Sequence, residues 1–268
     1  MLDERARVIL RGYLQSPAPP PARTSRRDRT SPAPKPAARI QLTPDTPPPA
    51  ADVPEPVISG STVEEQLASL HRQAADWPPA KSLGTLRGTM VFAVGNPRAD
   101  LMLVGEAPGF NEERQQEPFV GRAGQKLNQI LTAMGLERED IYISNICKFR
   151  PAMERQTTAN RKPTRAEMDS CLPFVRAEIS LVRPKCIVAL GATAAEGLLH
   201  SDLPVGRLRG SWHQFHDIPV RVTYHPSYLL HNEHAAAEKR KVWDDMLCVM
   251  EQLGMDITEK QRGFFLSK

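Results

Sequence analysis

The chain has 268 residues, 25% of them charged, 25 prolines and a formal net charge of +4. So mild a charge neither demands nor excludes a nucleic-acid partner, and no apolar run is long enough to span a bilayer as a helix. Its four cysteines, Cys147, Cys171, Cys186 and Cys248, have no C-x-x-C spacing, which argues against a disulfide scaffold and for a reducing, cytoplasmic setting.

In chain order, residues 16–57 come first to notice: they hold 13 of the prolines, with Arg23, Arg26, Arg27 and Arg29 among them. Such a stretch buries too little apolar surface to offset chain entropy, so residues 1–60 read as a disordered Pro/Arg-rich tail. The tail carries nine Lys/Arg against six Asp/Glu, so most of the positive excess lies there. Arg5, Arg7 and Arg11 interrupt the first apolar residues, so no secretory signal is expected. Residues 1–15 have the pattern of a short amphipathic helix; a docking peptide for a protein partner is one reading, a frayed end the default.

From residue 61 the pattern becomes orderly. Thr62 and Glu65 form a capping box ahead of a helix through Gln73. A β-rich run covers residues 89–94, and an unbroken apolar strand covers 100–104. A helix over 124–134 closes on Gly135, and a strand follows over 141–146. A second capping box, Thr164 and Glu167, opens a helix to about Val182, with Pro173 expected to kink or split it. Then come a buried strand over 186–190, a short helix over 192–199, a hairpin over 212–224 and a last helix over 235–253. Residues 61–255 are expected to form one domain, with 256–268 as a C-terminal extension.

Continuous apolar strands alternating with helices indicate parallel pairing covered on both faces. The expected fold is a three-layer α/β/α sandwich around a mostly parallel sheet of about four strands. Ligands of such sheets bind beyond the carboxyl ends of the strands. There the chain places Gly105-Glu106-Ala107-Pro108-Gly109, Asn145 and His225-Pro226-Ser227. No Walker loop, dinucleotide fingerprint, G-x-S-x-G or H-E-x-x-H is present. A site of one Asn, one His, one Glu and an aromatic suits recognition of a planar hydrogen-bonding group, with stabilisation of charge as it leaves.

The segments Gly105–Gly109, Pro118-Phe119-Val120-Gly121-Arg122-Ala123-Gly124, Asn145-Ile146-Cys147-Lys148, Asn160-Arg161 and His225-Pro226-Ser227-Tyr228-Leu229-Leu230 follow one another in order. Together they resemble the signatures of family 4 uracil-DNA glycosylases, over roughly residues 89–250. The resemblance implies a monomeric, monofunctional repair enzyme. It would flip uracil out of single- or double-stranded DNA and hydrolyse the N-glycosidic bond. Phe119 would stack on the base, and Asn145 would match its O4 and N3–H edge. His225, neutral or charged, would stabilise charge on O2. Glu106 would orient water through its backbone or carboxylate, or brace the loop. Ala107 stands in the substrate-binding loop where better-known relatives have Asp. Arg122, Asn160, Arg161, Arg207, Arg209, Pro226 and Ser227 are the candidate DNA contacts, and Glu112 and Glu113 are read as solvated loop charges.

The chain departs from that family at the iron–sulfur ligands. Of the four cysteine positions only Cys171 matches; Cys147 is two residues off, Phe149 stands at another place, and residues 70–83 hold no Cys. No cluster, and no other metal or cofactor, is therefore expected, with Trp77 and Phe149 packing where it would sit. Asn160 stands near where covalently binding relatives place His, so plain hydrolysis is expected. The competing readings are a glycosylase for another deaminated base, an inactive DNA-binding relative, and an interaction protein working through its tail.

Overall fold

A computed structural model describes residues 53–231 and 235–266. The expected tail lies outside these residues apart from 53–60. Helix α1 (Val63–Ala75) opens on the Thr62–Glu65 capping box. Ahead of it, Val57 donates its N–H to Gln73 Oε1 at 2.9 Å and accepts from Gln73 Nε2 at 2.5 Å. The described body is thus tied together from before residue 61. A single turn, α2 (Pro78–Lys81), follows.

The β-rich run expected over 89–94 divides in two. β1 (Leu86–Met90) pairs antiparallel with β5 (Phe149–Pro151) in a separate ribbon, and β2 (Val94–Gly95) joins the edge of the main sheet. That sheet has six strands in the order β2-β4-β3-β6-β8-β7. Its middle is the parallel set expected from sequence: β4 (Tyr142–Asn145), β3 (Leu101–Gly105), β6 (Cys186–Leu190) and β8 (Ile218–Thr223). β2 and β7 (Trp212–Phe215) add antiparallel edges.

Side-chain alternation assigns the layers. Met102, Val104, Ile187, Ala189, Val220 and Val222 pack against α1, α5 (Arg165–Val182) and α6 (Ala192–Leu199). Leu101, Leu103, Ile143, Val188 and Leu190 pack against α4 (Arg122–Met134) and α9 (Ala236–Gln252). The result is the three-layer sandwich. Short helices α3 (Phe110–Gln115), α7 (Val205–Leu208) and α8 (Pro226–His231) sit in the connections.

Pro173 does not split α5, which runs unbroken through it. The ring removes one i→i−4 bond, but Leu172, Pro173, Phe174 and Val175 are all buried, and that packing offsets the loss. Nor is the segment after 255 loose where it is described. In α10 (Glu259–Arg262), Gln261 accepts from Trp243 Nε1 through its carbonyl at 2.6 Å and donates from Nε2 to Ala133 O at 3.0 Å. Phe264 is buried beside Trp243, ring centroids 5.2 Å apart. No helix among the described residues is long and apolar enough to cross a membrane.

Candidate active site

The ends of the four parallel strands converge on one rim, and the loop after α3 folds over it. Phe119 in that loop has φ 56°, a left-handed conformation that costs a bulky residue about 1–3 kcal/mol. The surroundings enforce it. Arg138 donates to Phe119 O at 3.2 Å and to Pro118 O at 2.9 Å. Glu112 Oε1 accepts the N–H groups of Val120 and Gly121 at 3.0 and 2.7 Å. At Gly124 a methyl group would lie 1.7 Å from Phe119 O, so only glycine lets α4 press against this backbone. Glu112 is therefore a clamp on the loop, not a solvated charge.

The strained loop delivers the Phe119 ring to the end of β3, where it is almost wholly buried. A methyl on Gly105 would lie 2.3 Å from Asn145 Oδ1 and 2.5 Å from Phe119 Cζ. Glycine is required here, and the amide and the ring are close neighbours. Asn145 is itself buried, and among the described residues its Oδ1 has no hydrogen-bond partner. Leaving a buried carbonyl oxygen unpaired costs about 1–3 kcal/mol. An orphaned acceptor beside an aromatic ring is what a site for an N–H-bearing planar ligand requires.

His225 closes the other side, its ring centroid 5.7 Å from that of Phe119 and tilted by 33°. Burial pushes the imidazole pKa down to about 4, so the ring is neutral at neutral pH. Nδ1 accepts the Ser227 backbone N–H at 3.2 Å and lies 2.7 Å from Ser227 Oγ. A nitrogen that accepts from a backbone N–H carries no proton, so the neutral ring bears it on Nε2. Sequence left the charge state open; burial favours the neutral ring. Ser227, expected at a phosphate, has this prior engagement with His225.

Glu106 extends from the same strand end as Gly105. Its carbonyl accepts Cys147 N–H at 3.0 Å, as Gly105 O accepts Ile146 N–H at 3.0 Å, which fastens β3 to the turn after Asn145. Thr193 Oγ1 donates to Glu106 Oε2 at 2.5 Å. Burial pushes the Glu106 carboxyl above the usual range, against the Thr193 hydrogen bond that lowers it. Ala107, next in line, is half-buried against the α5 side of the core.

A model of the uracil DNA glycosylase superfamily matches residues 92–247, which span this rim. The chain belongs to that superfamily. It is 39% identical over 150 residues to the type-4 uracil-DNA glycosylase of Thermotoga maritima, covering 54% of this chain and 74% of that one. The type-4 enzyme of Archaeoglobus fulgidus is 37% identical over 149 residues, 53% of this chain and 72% of its own. That of Pyrobaculum aerophilum is 35% identical over 163 residues, 58% and 80%.

Within this glycosylase fold, the candidate DNA contacts divide. Arg122, at the first turn of α4, and Arg207, on α7, are exposed. Arg161 is spent inside the protein. Its five N–H donors go to Ala152 O, Lys162 O, Thr85 O and both oxygens of buried Glu167. Arg209, expected at a phosphate, instead ion-pairs with buried Asp245 at 3.1 Å and donates to Lys241 O. Arg221 and Thr223 share that carboxylate. Asn160 is exposed, but its Oδ1 accepts from Arg150, which also pairs with Glu113 at 2.9 Å. Glu113 is thus half of an ion pair that ties α3 to β5. Pro226 is buried at the start of α8.

The cysteines do not assemble. Cys147 and Cys171 are buried together on the α5 side of the sheet, Cys147 held protonated by its hydrogen bond to Cys171. Cys186 is buried on the α4/α9 side, and Cys248 lies on α9. Four thiolates split between two layers do not fit a four-iron cluster. Around Cys147 and Cys171 the space is filled instead. Trp77 donates its indole N–H to Ser170 O at 2.8 Å and stands edge-on to Phe174 at 4.8 Å, and Phe149 is buried in the same cluster.

Proposed function

We propose that this chain removes uracil from DNA by hydrolysing its N-glycosidic bond, leaving an abasic site. The observation that carries the reading is the orphaned, buried Oδ1 of Asn145 beside Phe119. Uracil offers N3–H to that oxygen and O4 to the amide N–H. Cytosine reverses both groups, which would leave buried partners unpaired and is thereby rejected. Phe119 stacks on the base, worth about 1–3 kcal/mol. As the C1′–N1 bond breaks, its electron pair moves into the ring toward O2, where the Nε2–H of neutral His225 meets the developing charge. Water completes the sugar at C1′. Arg122 and Arg207 hold flanking phosphates, and Pro226 and Ser227 shape the adjoining backbone contact.

Flipping the base costs a few kcal/mol of unstacking, least in single strands and mismatches. The test is an end-labelled oligonucleotide with one uracil, offered single-stranded and paired with G or A, then treated with hot alkali. Strand scission at the uracil, lost in Asn145→Ala, is expected. No scission on any of the three substrates would refute the reading.

The same proposal includes catalysis without an iron–sulfur cluster. What supports it is the split of the four cysteines and the aromatic filling around Trp77, Phe149 and Phe174. Protein purified without added metal is expected to contain no stoichiometric iron or acid-labile sulfide and to melt in one cooperative transition. Four irons per chain would overturn this part alone.

A further inference from the structure

Glu106 is poised for one specific task by a residue far away in sequence. Its main-chain carbonyl is committed to the Asn145 turn through the Cys147 hydrogen bond, and its carboxylate is held from a different element. Thr193, 1% exposed in the first turn of α6, holds Oε2 at 2.5 Å. Among the described residues Oε1 has no hydrogen-bond partner. The flanks of this pair are the site itself. Gly105, before Glu106, abuts Asn145 and Phe119. A methyl on Gly191, two residues before Thr193, would lie 3.0 Å from His225 Cβ. The Thr193–Glu106 bond therefore bridges the base-reading side of the site and the His225 side.

We propose that Thr193 is a positioning residue: by occupying Oε2 it turns Oε1 of Glu106 toward the glycosidic bond, where it holds the attacking water. The inference rests on the uracil-excising reading above. In the step, the water oxygen bonds to C1′ while the C1′–N1 pair leaves with uracil. A water proton passes to Oε1 and from there to solvent, and the uracil anion is protonated by solvent. A carboxylate removed from water by burial is a better proton acceptor than an exposed one. The threonine hydroxyl favours the charged form, opposing the burial that raises the Glu106 carboxyl.

Thr193→Val keeps the shape and deletes the hydroxyl. Single-turnover excision by this variant is expected to fall about 10-fold, with little change in affinity for uracil-containing DNA. The acid limb of its rate profile should move to higher pH, because the charged carboxylate has lost a donor. Thr193→Ser should restore both. In a Glu106→Gln background, Thr193→Val should cost nothing further, since the two residues act as one unit. A melting curve accompanies each variant. Full activity and an unmoved acid limb in folded Thr193→Val, or full activity in Glu106→Gln, would overturn the proposal. Thr193→Val losses that persist undiminished in the Glu106→Gln background would do so too. A wild-type chain inactive on every uracil substrate would overturn the glycosylase reading and the inference with it.

Discussion

Replacing His225 with Ala is expected to slow uracil release by about 10²–10³-fold, the usual cost of removing one donor from a developing oxyanion. Binding of uracil-containing DNA should weaken far less, because in the proposed site the base is read by Asn145 and Phe119 whether or not the bond is breaking. Ser227→Ala should cost less than His225→Ala. It removes only the hydroxyl, while the backbone N–H that sets the tautomer stays. The measurement is a single-turnover rate on uracil oligonucleotides alongside an equilibrium affinity.

The same histidine makes a separable prediction about pH. Its pKa falls from 6.5 to about 4 on folding, because burial disfavours the charged ring. Between those values the unfolded chain binds the proton and the folded chain does not. Stability contributed by the neutral ring is therefore fully present above about pH 6.5 and is lost as pH falls through 4, on the order of 3 kcal/mol in all. His225→Ala removes this slope, so its stability should change less than wild type over that window. Urea titrations at several pH values would show it. Equal slopes in both proteins would mean that the folded ring titrates like the unfolded one, so that burial does not hold it neutral.

Phe119, Asn145 and His225 were legible because each lies in a short Gly- or Pro-framed segment directly after an apolar strand, and the parallel sheet brings those ends together by construction. The charged residues were not legible in the same way. Whether an arginine meets phosphate or is consumed inside depends on a partner that no local pattern names. Arg209 finds Asp245, 36 residues on, and Thr193 finds Glu106 across 87 residues. Glu112 and Glu113 looked like loop charges because their partners are loop N–H groups and Arg150, which no spacing reveals. The shortest strands were missed for a related reason. β2 has two residues and β5 three, too short for periodicity to register, and both exist only through pairing with distant segments. Pro173 does not split its helix, since a helix with so many buried residues continues through a missing hydrogen bond.

The largest stability effect is expected behind the Asn145 strand. Lys148 and Glu178, both fully buried, form an ion pair at 2.6 Å, and Ser144 bonds to each at 2.6 Å. Lys148 also lies 5.0 Å above the Phe92 ring. The triad joins β4 and its following turn to α5, on the face of the sheet opposite Asn145. Glu178→Leu would strand a buried ammonium, an error worth about 3–5 kcal/mol. At roughly 2–4 °C per kcal/mol for a domain of this size, Tm should fall by about 6–20 °C. The double variant Lys148→Met/Glu178→Leu should recover most of that loss, because burying two charges costs nearly what their attraction returns. Thermal melts of wild type, both single variants and the double variant measure the coupling directly. If the double variant is as unstable as the sum of the singles, the pair contributes through packing of each chain separately. If it is stable yet excises uracil slowly, the triad's retained role is to hold the strand end that carries Asn145. A charge pair that adds little net stability would then be kept for the geometry it imposes.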